Sequence, residues 1–193
     1  MLKILTTVRH DFKLIANFIL KKVYNIEDML IAVNPFENIA QYKYNISGLR
    51  QTLDFIDRGY PIGIFPAGEV SSMTSPKIKV TDREWNPVVA RLIQKAKNPV
   101  LPIYFHGTNS YMFNLLGLLH PAMRTVRLPS ELLNKRGATI KVRIGKPIDY
   151  KELKNFEDSA QLLRFLRTKT YALGSALEVD KFFSPALLKS PKK

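Results

Sequence analysis

The run Phe65-Pro66-Ala67-Gly68-Glu69-Val70-Ser71-Ser72 closes an apolar stretch with a proline, a glycine and a carboxylate. Proline removes a backbone donor and glycine admits a left-handed turn, so the chain folds back there with Glu69 and Ser71 at the bend. A second polar cluster, His106-Gly107-Thr108-Asn109-Ser110, closes the apolar run 100–105. Histidine is the commonest general base, and an isolated carboxylate receives an ammonium group. Each cluster also has a plainer reading: Glu69 holds a turn, and His106 makes a local hydrogen bond. Ser71, Ser72 and Ser110 lack the Gly-x-Ser-x-Gly elbow of a serine nucleophile, and there is no glycine-rich phosphate loop or dinucleotide fingerprint. His10-Asp11 reads as a solvated turn before a strand, and His120, before Pro121, as a helix-terminal residue. With no cysteine there is no thiolate chemistry, and no metal set is expected.

The elements that must position these clusters follow from apolar periodicity. Runs 12–16, 29–33, 62–65 and 100–105 are nearly all apolar, as in strands covered on both faces, whereas 139–145 alternates and reads as a half-exposed strand near an edge. Ser47 is placed as the cap of a helix in which Leu49, Leu53 and Ile56 share a face, with Gly59 as its left-handed stop. Asn86-Pro87 predicts a capped helix through Ala96, and a last helix is expected over 157–177. In an α/β layer fold of this kind, ligands sit beyond the carboxyl ends of the strands, where the block 65–72 and the block 106–110 form two walls of one cleft.

At 193 residues the chain is long enough for one buried core, and no repeat or composition break divides it. Its formal net charge of +14 attracts nucleic acid, anionic lipid headgroups or acidic carrier proteins. No recognition helix or base-stacking motif accompanies the charge, so no nucleic-acid partner is expected. No run reaches the ~18 apolar residues of a membrane span, and the opening residues 1–13 lack a signal-peptide pattern.

The stretch FPAGEVSS (65–72) resembles the third sequence block of the glycerolipid (1-acylglycerol-3-phosphate-type) acyltransferase superfamily, whose common form is Phe-Pro-Glu-Gly-Thr-Arg-Ser. VLPIYFHG (100–107) stands where that superfamily has its fourth block, and IAVNPFEN (31–38) where it has its second. The stretch 124–148 resembles the hemolysin-like bacterial branch, whose acceptors include lyso-ornithine and related aminolipids. The resemblance covers residues 8–150. It implies a single-domain α/β fold with a mixed, largely parallel sheet flanked by helices. The implied activity moves a fatty acyl group from acyl carrier protein or acyl-coenzyme A to a lyso-lipid hydroxyl, with no other cofactor. Phe65, Pro66, Gly68, Glu69 and Ser71 of the third block and Asn34 and Phe36 of the second are the implied acceptor-binding residues.

Two departures shape the expectation. The superfamily's catalytic His and Asp are separated by four residues, the His serving as base on the acceptor hydroxyl and the Asp orienting it. Here Ile15, Tyr111 and Thr125 stand where an Asp would follow His10, His106 and His120. Block spacing puts the motif upstream of Met1, so an N-terminally truncated member is expected, with an acyltransferase domain over 1–180 and a basic tail over 181–193. His106 is then the one candidate for a direct chemical role. In the third block, Val70 stands at the arginine that suits a phosphate, and Ala67 replaces Glu. The carboxylate of Glu69 remains, pointing to an amine-bearing lyso-lipid rather than lysophosphatidic acid.

The apolar stretch 111–120 follows the fourth block. It reads as core helix or, through Tyr111, Met112, Phe113 and Leu116, as acyl-chain or shallow membrane contact. From 121 to 154 there are nine Lys or Arg, Arg124 and Arg127 among them, against three acids. An apolar segment beside a basic one holds a peripheral protein on an anionic leaflet, here expected to be the cytoplasmic face of the inner membrane. A non-catalytic lipid-binding remnant and, on charge alone, a nucleic-acid-binding domain remain as rivals.

Overall fold

The computed structural model describes residues 1, 5–17, 20, 25–33, 39–74, 79–110, 112–114, 130–131 and 133–175. Three short parallel strands, β1 (Lys13–Asn17), β2 (Leu30–Val33) and β3 (Ile62–Gly63), lie in the order β2-β1-β3. Leu14 pairs with Leu30 on one side and Gly63 on the other, so all three strands run to the same end. The apolar runs behave as expected of covered strands: Leu14, Leu30, Ile31 and Ala32 are buried. Phe12, Leu14 and Leu30 form one core, which Met1, Leu5, Ile26 and Met29 flank.

Helix α1 (Ile39–Asp57) returns the chain from β2 to β3. Ser47 was expected to cap it, but the helix begins eight residues earlier, at Ile39. Mid-helix, Ser47 has no orphan N–H to satisfy. Its neighbour Gly48 explains the continuation: a Cβ there would lie 3.0 Å from the Ala32 carbonyl oxygen, so the helix rides directly on β2. The stop is as expected. Gly59 has φ +82°, the Gly59 N–H donates to Ile56 O and the Tyr60 N–H to Phe55 O, the paired bonds of a left-handed helix end.

The apolar run after Gly59 leaves the sheet at Ile64, short of the expected strand 62–65, ahead of Pro66, which has no N–H to extend the ladder. Strands β4 (Ser72–Thr74) and β5 (Lys79–Thr81) then form an antiparallel pair. Helix α2 (Pro87–Ala96) begins at the expected cap, with Asn86 Oδ1 accepting from the Val88 N–H at 2.9 Å. Pro102 divides the run 100–105, so Val100 makes a lone bridge to Ile148 while β6 spans Ile103–Phe105. β6 pairs antiparallel with β7 (Val142–Ile144). A short helix, α3 (Tyr150–Leu153), precedes α4 (Ser159–Ser175). Ala90 and Ile93 of α2, Leu153 of α3, and Leu162, Leu163 and Leu166 of α4 bury one another around Ile148. Thus α4 is the brace on which the β6 strand and the loop before α2 converge.

Candidate functional site

The third-block segment is a tight turn beyond the carboxyl end of β3. The Gly68 N–H donates to Phe65 O at 3.0 Å, and Gly68 has φ +70°. A Cβ at that position would meet nothing within 4 Å. Glycine is needed there for its backbone angle and not for space. The turn is tied to the far leg of the β4–β5 hairpin: Pro66 O accepts from the Asn86 N–H at 2.9 Å. Ser71 Oγ donates to Asp82 Oδ1, whose other oxygen accepts from Trp85 Nε1 at 3.3 Å. Ser71 therefore serves the turn's own scaffold. Phe65, at 51% exposure, and Val70, at 38%, stand out from the turn.

Glu69 does not stand alone. Arg83 Nε lies 3.0 Å from Glu69 Oε1. Arg83 reaches it from across the hairpin, and neither spacing nor periodicity signals the pair. Only the charged Asp82-Arg83-Glu84, one residue short of the Asn86-Pro87 cap, could have drawn notice.

The Asp82 backbone is held by α4. Its N–H donates to Tyr171 Oη at 2.9 Å, and Arg167 Nη2 donates to its carbonyl at 2.6 Å and to Thr81 Oγ1 at 3.2 Å. The guanidinium of Arg167 also lies 5.5 Å from the Tyr171 ring centroid. Burial pushes the Tyr171 phenol above its ordinary pKa, and the bond from the Asp82 N–H pulls the other way.

The same tyrosine reaches the fourth block. The Tyr104 ring centroid is 5.8 Å from that of Tyr171 and 4.9 Å from that of His106, both edge-on. His106 continues the β6–β7 ladder, its N–H donating to Lys141 O at 2.9 Å, and its Nε2 is buried with no hydrogen-bond partner among the described residues. A chain of contacts, His106–Tyr104–Tyr171–Asp82–Ser71, thus links the two expected walls through α4. Among the described residues no carboxylate is hydrogen-bonded to His106, and its imidazole packs edge-on against the Tyr104 ring. His10 lies before β1, at the opposite end of the parallel strands from Glu69; its neighbour Asp11 forms a two-pronged bond with Arg9, at 2.6 Å for each contact.

Beyond His106, Glu131 is a buried carboxylate that accepts from the Ser110 N–H at 2.9 Å and from Ser110 Oγ. Lys135 Nζ donates to Asn109 Oδ1. Of the two readings of 111–120, core helix or acyl-chain and membrane contact, Phe113 follows the first: it is wholly buried. Its N–H bonds to Ser110 Oγ, and one residue of helical rotation turns Met112, 51% exposed, outward in its place. Asn34, Phe36, Tyr111, Leu116, Arg124, Arg127 and the tail 181–193 lie outside the described residues. Among the described residues no three His, Asp or Glu side chains converge on a metal position, and no helix is long and apolar enough to cross a membrane.

The site thus comprises a tight turn beyond the carboxyl end of a parallel sheet, with helices packed around it. The crystal structure of the 1-acyl-sn-glycerophosphate acyltransferase PlsC from Thermotoga maritima superposes with a TM-score of 0.50 at 16% identity, over 90% of this chain and 59% of that one. A profile of the acyltransferase family matches residues 5–180, and the chain belongs to that family. It is similar to a lyso-glycine lipid O-acyltransferase of Phocaeicola vulgatus, 27% identical over 175 residues, 81% of this chain and 61% of that protein. It is also similar to a protein of the same name from Bacteroides thetaiotaomicron, 28% identical over 116 residues, 57% of this chain and 42% of that protein. The chain spans about three-fifths of the length of the first of these relatives.

Proposed function

We propose that this chain forms the acceptor-binding part of an O-acyltransferase that moves a fatty acyl group from acyl-coenzyme A or acyl carrier protein to the hydroxyl of a lyso-lipid. The observation that carries the reading is the third-block turn at the carboxyl end of the parallel strands, in a chain matched to the acyltransferase family over 5–180. In the reaction, a base takes the hydroxyl proton, the oxygen attacks the thioester carbonyl, and the thiol departs after the tetrahedral intermediate collapses. The part of this chain is to bind and orient the acceptor. None of His10, His106 and His120 has the Asp spacing of the superfamily's base.

The acceptor we favour is an aminolipid, in keeping with the lyso-glycine lipid named for both relatives. Peripheral contact with an anionic membrane is part of the proposal. It is supported by the exposed Leu133 (70%) and Ile140 (54%) in a segment that also carries Lys135, Arg136 and Lys141. The same basic surface suits an acidic carrier protein.

Labelled acyl transfer to lyso-lipids, measured beside binding of the same lipids, tests the reading. Lyso-lipid binding with slow transfer is the expected result, since general-base assistance is worth ~10²–10⁴-fold. Binding with no transfer at all favours a second reading, a non-catalytic lipid-binding domain of the same fold, for which the missing His-Asp spacing speaks. Neither binding nor transfer refutes both.

A further inference from the structure

The Glu69–Arg83 pair stands at the turn expected to meet the acceptor headgroup, and it contains both signs of charge. Resting on the lipid-acceptor reading above, we propose that Arg83 is the headgroup reader. It would present its guanidinium to an oxyanion on the acceptor, a carboxylate or a phosphate, with Glu69 as the residue that positions it. The pair adds a cation to the expectation drawn from the block alone, in which Glu69 faced an ammonium.

Three observations carry this. Arg83 meets Glu69 through Nε, at 3.0 Å, on the inner edge of the guanidinium. A guanidinium held by one edge in this way offers a carboxylate or phosphate a two-pronged site. The Arg83 side chain is 59% exposed and that of Glu69 35% exposed, so the arginine is the more open partner and the carboxylate the more covered.

Next, the loop that carries Arg83 is fixed on both sides. The preceding residue, Asp82, is bound through its N–H, its carbonyl and both carboxylate oxygens, and Asn86 is bound to Pro66 O. An exposed arginine on a frayed loop would lose side-chain and backbone freedom on meeting a ligand; here the backbone is already ordered.

Finally, the segments that carry the pair also expose apolar side chains. Phe65, Val70 and Val88 (46%) stand uncovered on the segments joined by the Asn86–Pro66 bond. An anionic head on Arg83 with its chain over these side chains is the arrangement an amphiphile takes, whereas a free phosphate ion would leave them in water.

Trp85, the only tryptophan in the chain, lies two residues from Arg83 and reports binding by its fluorescence. The probes are N-lauroylglycine, lauroyl lysophosphatidic acid, neutral monolauroylglycerol and ammonium-headed laurylamine, each below its micellar concentration. Arg83→Gln is expected to weaken the anionic probes roughly ten- to a hundredfold and to leave monolauroylglycerol unchanged. Arg83→Lys, which keeps the charge and loses the fork, should fall between. Glu69→Gln should alter the anionic probes and spare the neutral one. Whichever anion the unaltered chain binds more tightly identifies its source as carboxylate or phosphate.

An equal loss for anionic and neutral probes, or no loss at all, overturns the assignment, and unfolding midpoints show whether the fold itself has suffered. Tight laurylamine binding that Glu69→Gln alone abolishes overturns it in favour of a carboxylate reader. If no probe binds the unaltered chain, the lipid-acceptor reading itself has failed, a result distinct from any specific to Arg83.

Discussion

Replacing Gly174 by alanine sets two effects of opposite sign against each other, and the structure decides between them. Within a helix the change is ordinarily favourable by ~1 kcal/mol, because alanine restricts the unfolded chain. Gly174 is the penultimate residue of α4, however, where a fraying turn realises only part of that gain. Against it, a Cβ at 174 would lie 2.6 Å from Tyr104 Cζ, 2.7 Å from Cε1 and 3.0 Å from the hydroxyl. Carbon atoms pack at ~3.5–4.0 Å, so something must move by about an ångström. The ring has little room, since it packs edge-on against both His106 and Tyr171, and its backbone is paired with Arg143 in β7. Moving the helix instead strains the bond from Arg143 Nη1 to Leu173 O, 2.6 Å long. Overpacking of this kind costs ~1–3 kcal/mol and outweighs the reduced helix gain. Gly174→Ala is therefore expected to destabilise the protein by about 1–2 kcal/mol, lowering Tm by roughly 3–6 °C for a chain of this size. Thermal unfolding followed by circular dichroism measures it. In a double-mutant cycle, Tyr104→Ala should remove most of the penalty, since it removes the colliding ring. A rise in Tm for Gly174→Ala would refute the reasoning, and so would a penalty that survives without Tyr104.

Tyr171→Phe deprives the Asp82 N–H of its acceptor; because the site is half-buried and water can partly substitute, a loss of about 1 kcal/mol in urea unfolding is expected. The same change should weaken lyso-lipid binding read at Trp85, and unaltered binding would show that the Asp82 loop needs no help from α4. The Arg9 guanidinium hydrogen-bonds to Asp11 and holds its carboxyl below the ordinary carboxylate range. A lowered folded-state value means that the stabilisation is complete above the unfolded carboxyl's pKa and disappears as pH falls through the lowered one. With the Asp11 side chain 43% exposed, screening keeps the effect to a few tenths of a kcal/mol. Wild type and Arg9→Gln should thus differ slightly at neutral pH and converge in acid, and a difference that grows in acid would contradict the assignment. Binding to anionic vesicles should weaken as salt rises, since exposed charges are screened over ~10 Å at 0.1 M, and Leu133→Asp with Ile140→Asp should weaken it further. Equal flotation with neutral vesicles at high salt would show that the charge excess plays no part.

What the sequence determined by itself is the local chemistry whose cause lies within a few residues. Asn86-Pro87 starts a helix because the cap acceptor and the fixed proline angle are both in the dipeptide. Gly59 stops one because only its own backbone angle is required. The run 29–33 becomes a covered strand, and the third block becomes a turn through Pro66 and Gly68, for the same reason. Where an element's length depends on its neighbours, the sequence misplaced it: α1 runs eight residues past the expected cap because its face at Gly48 is set against β2. The burial of Phe113 beside an exposed Met112 likewise depends on which side of one short helical turn faces the interior. The electrostatics of the site were decided wholly by tertiary structure. Glu69 meets Arg83 across a hairpin, Arg167 and Tyr171 reach Asp82 from more than eighty positions away, and Glu131 closes on Ser110 from twenty-one. A carboxylate's partner is whichever cation the fold brings within about 4 Å. Separation along the chain carries no record of that distance, so the charge of the site could be read only once the hairpin and α4 were in place.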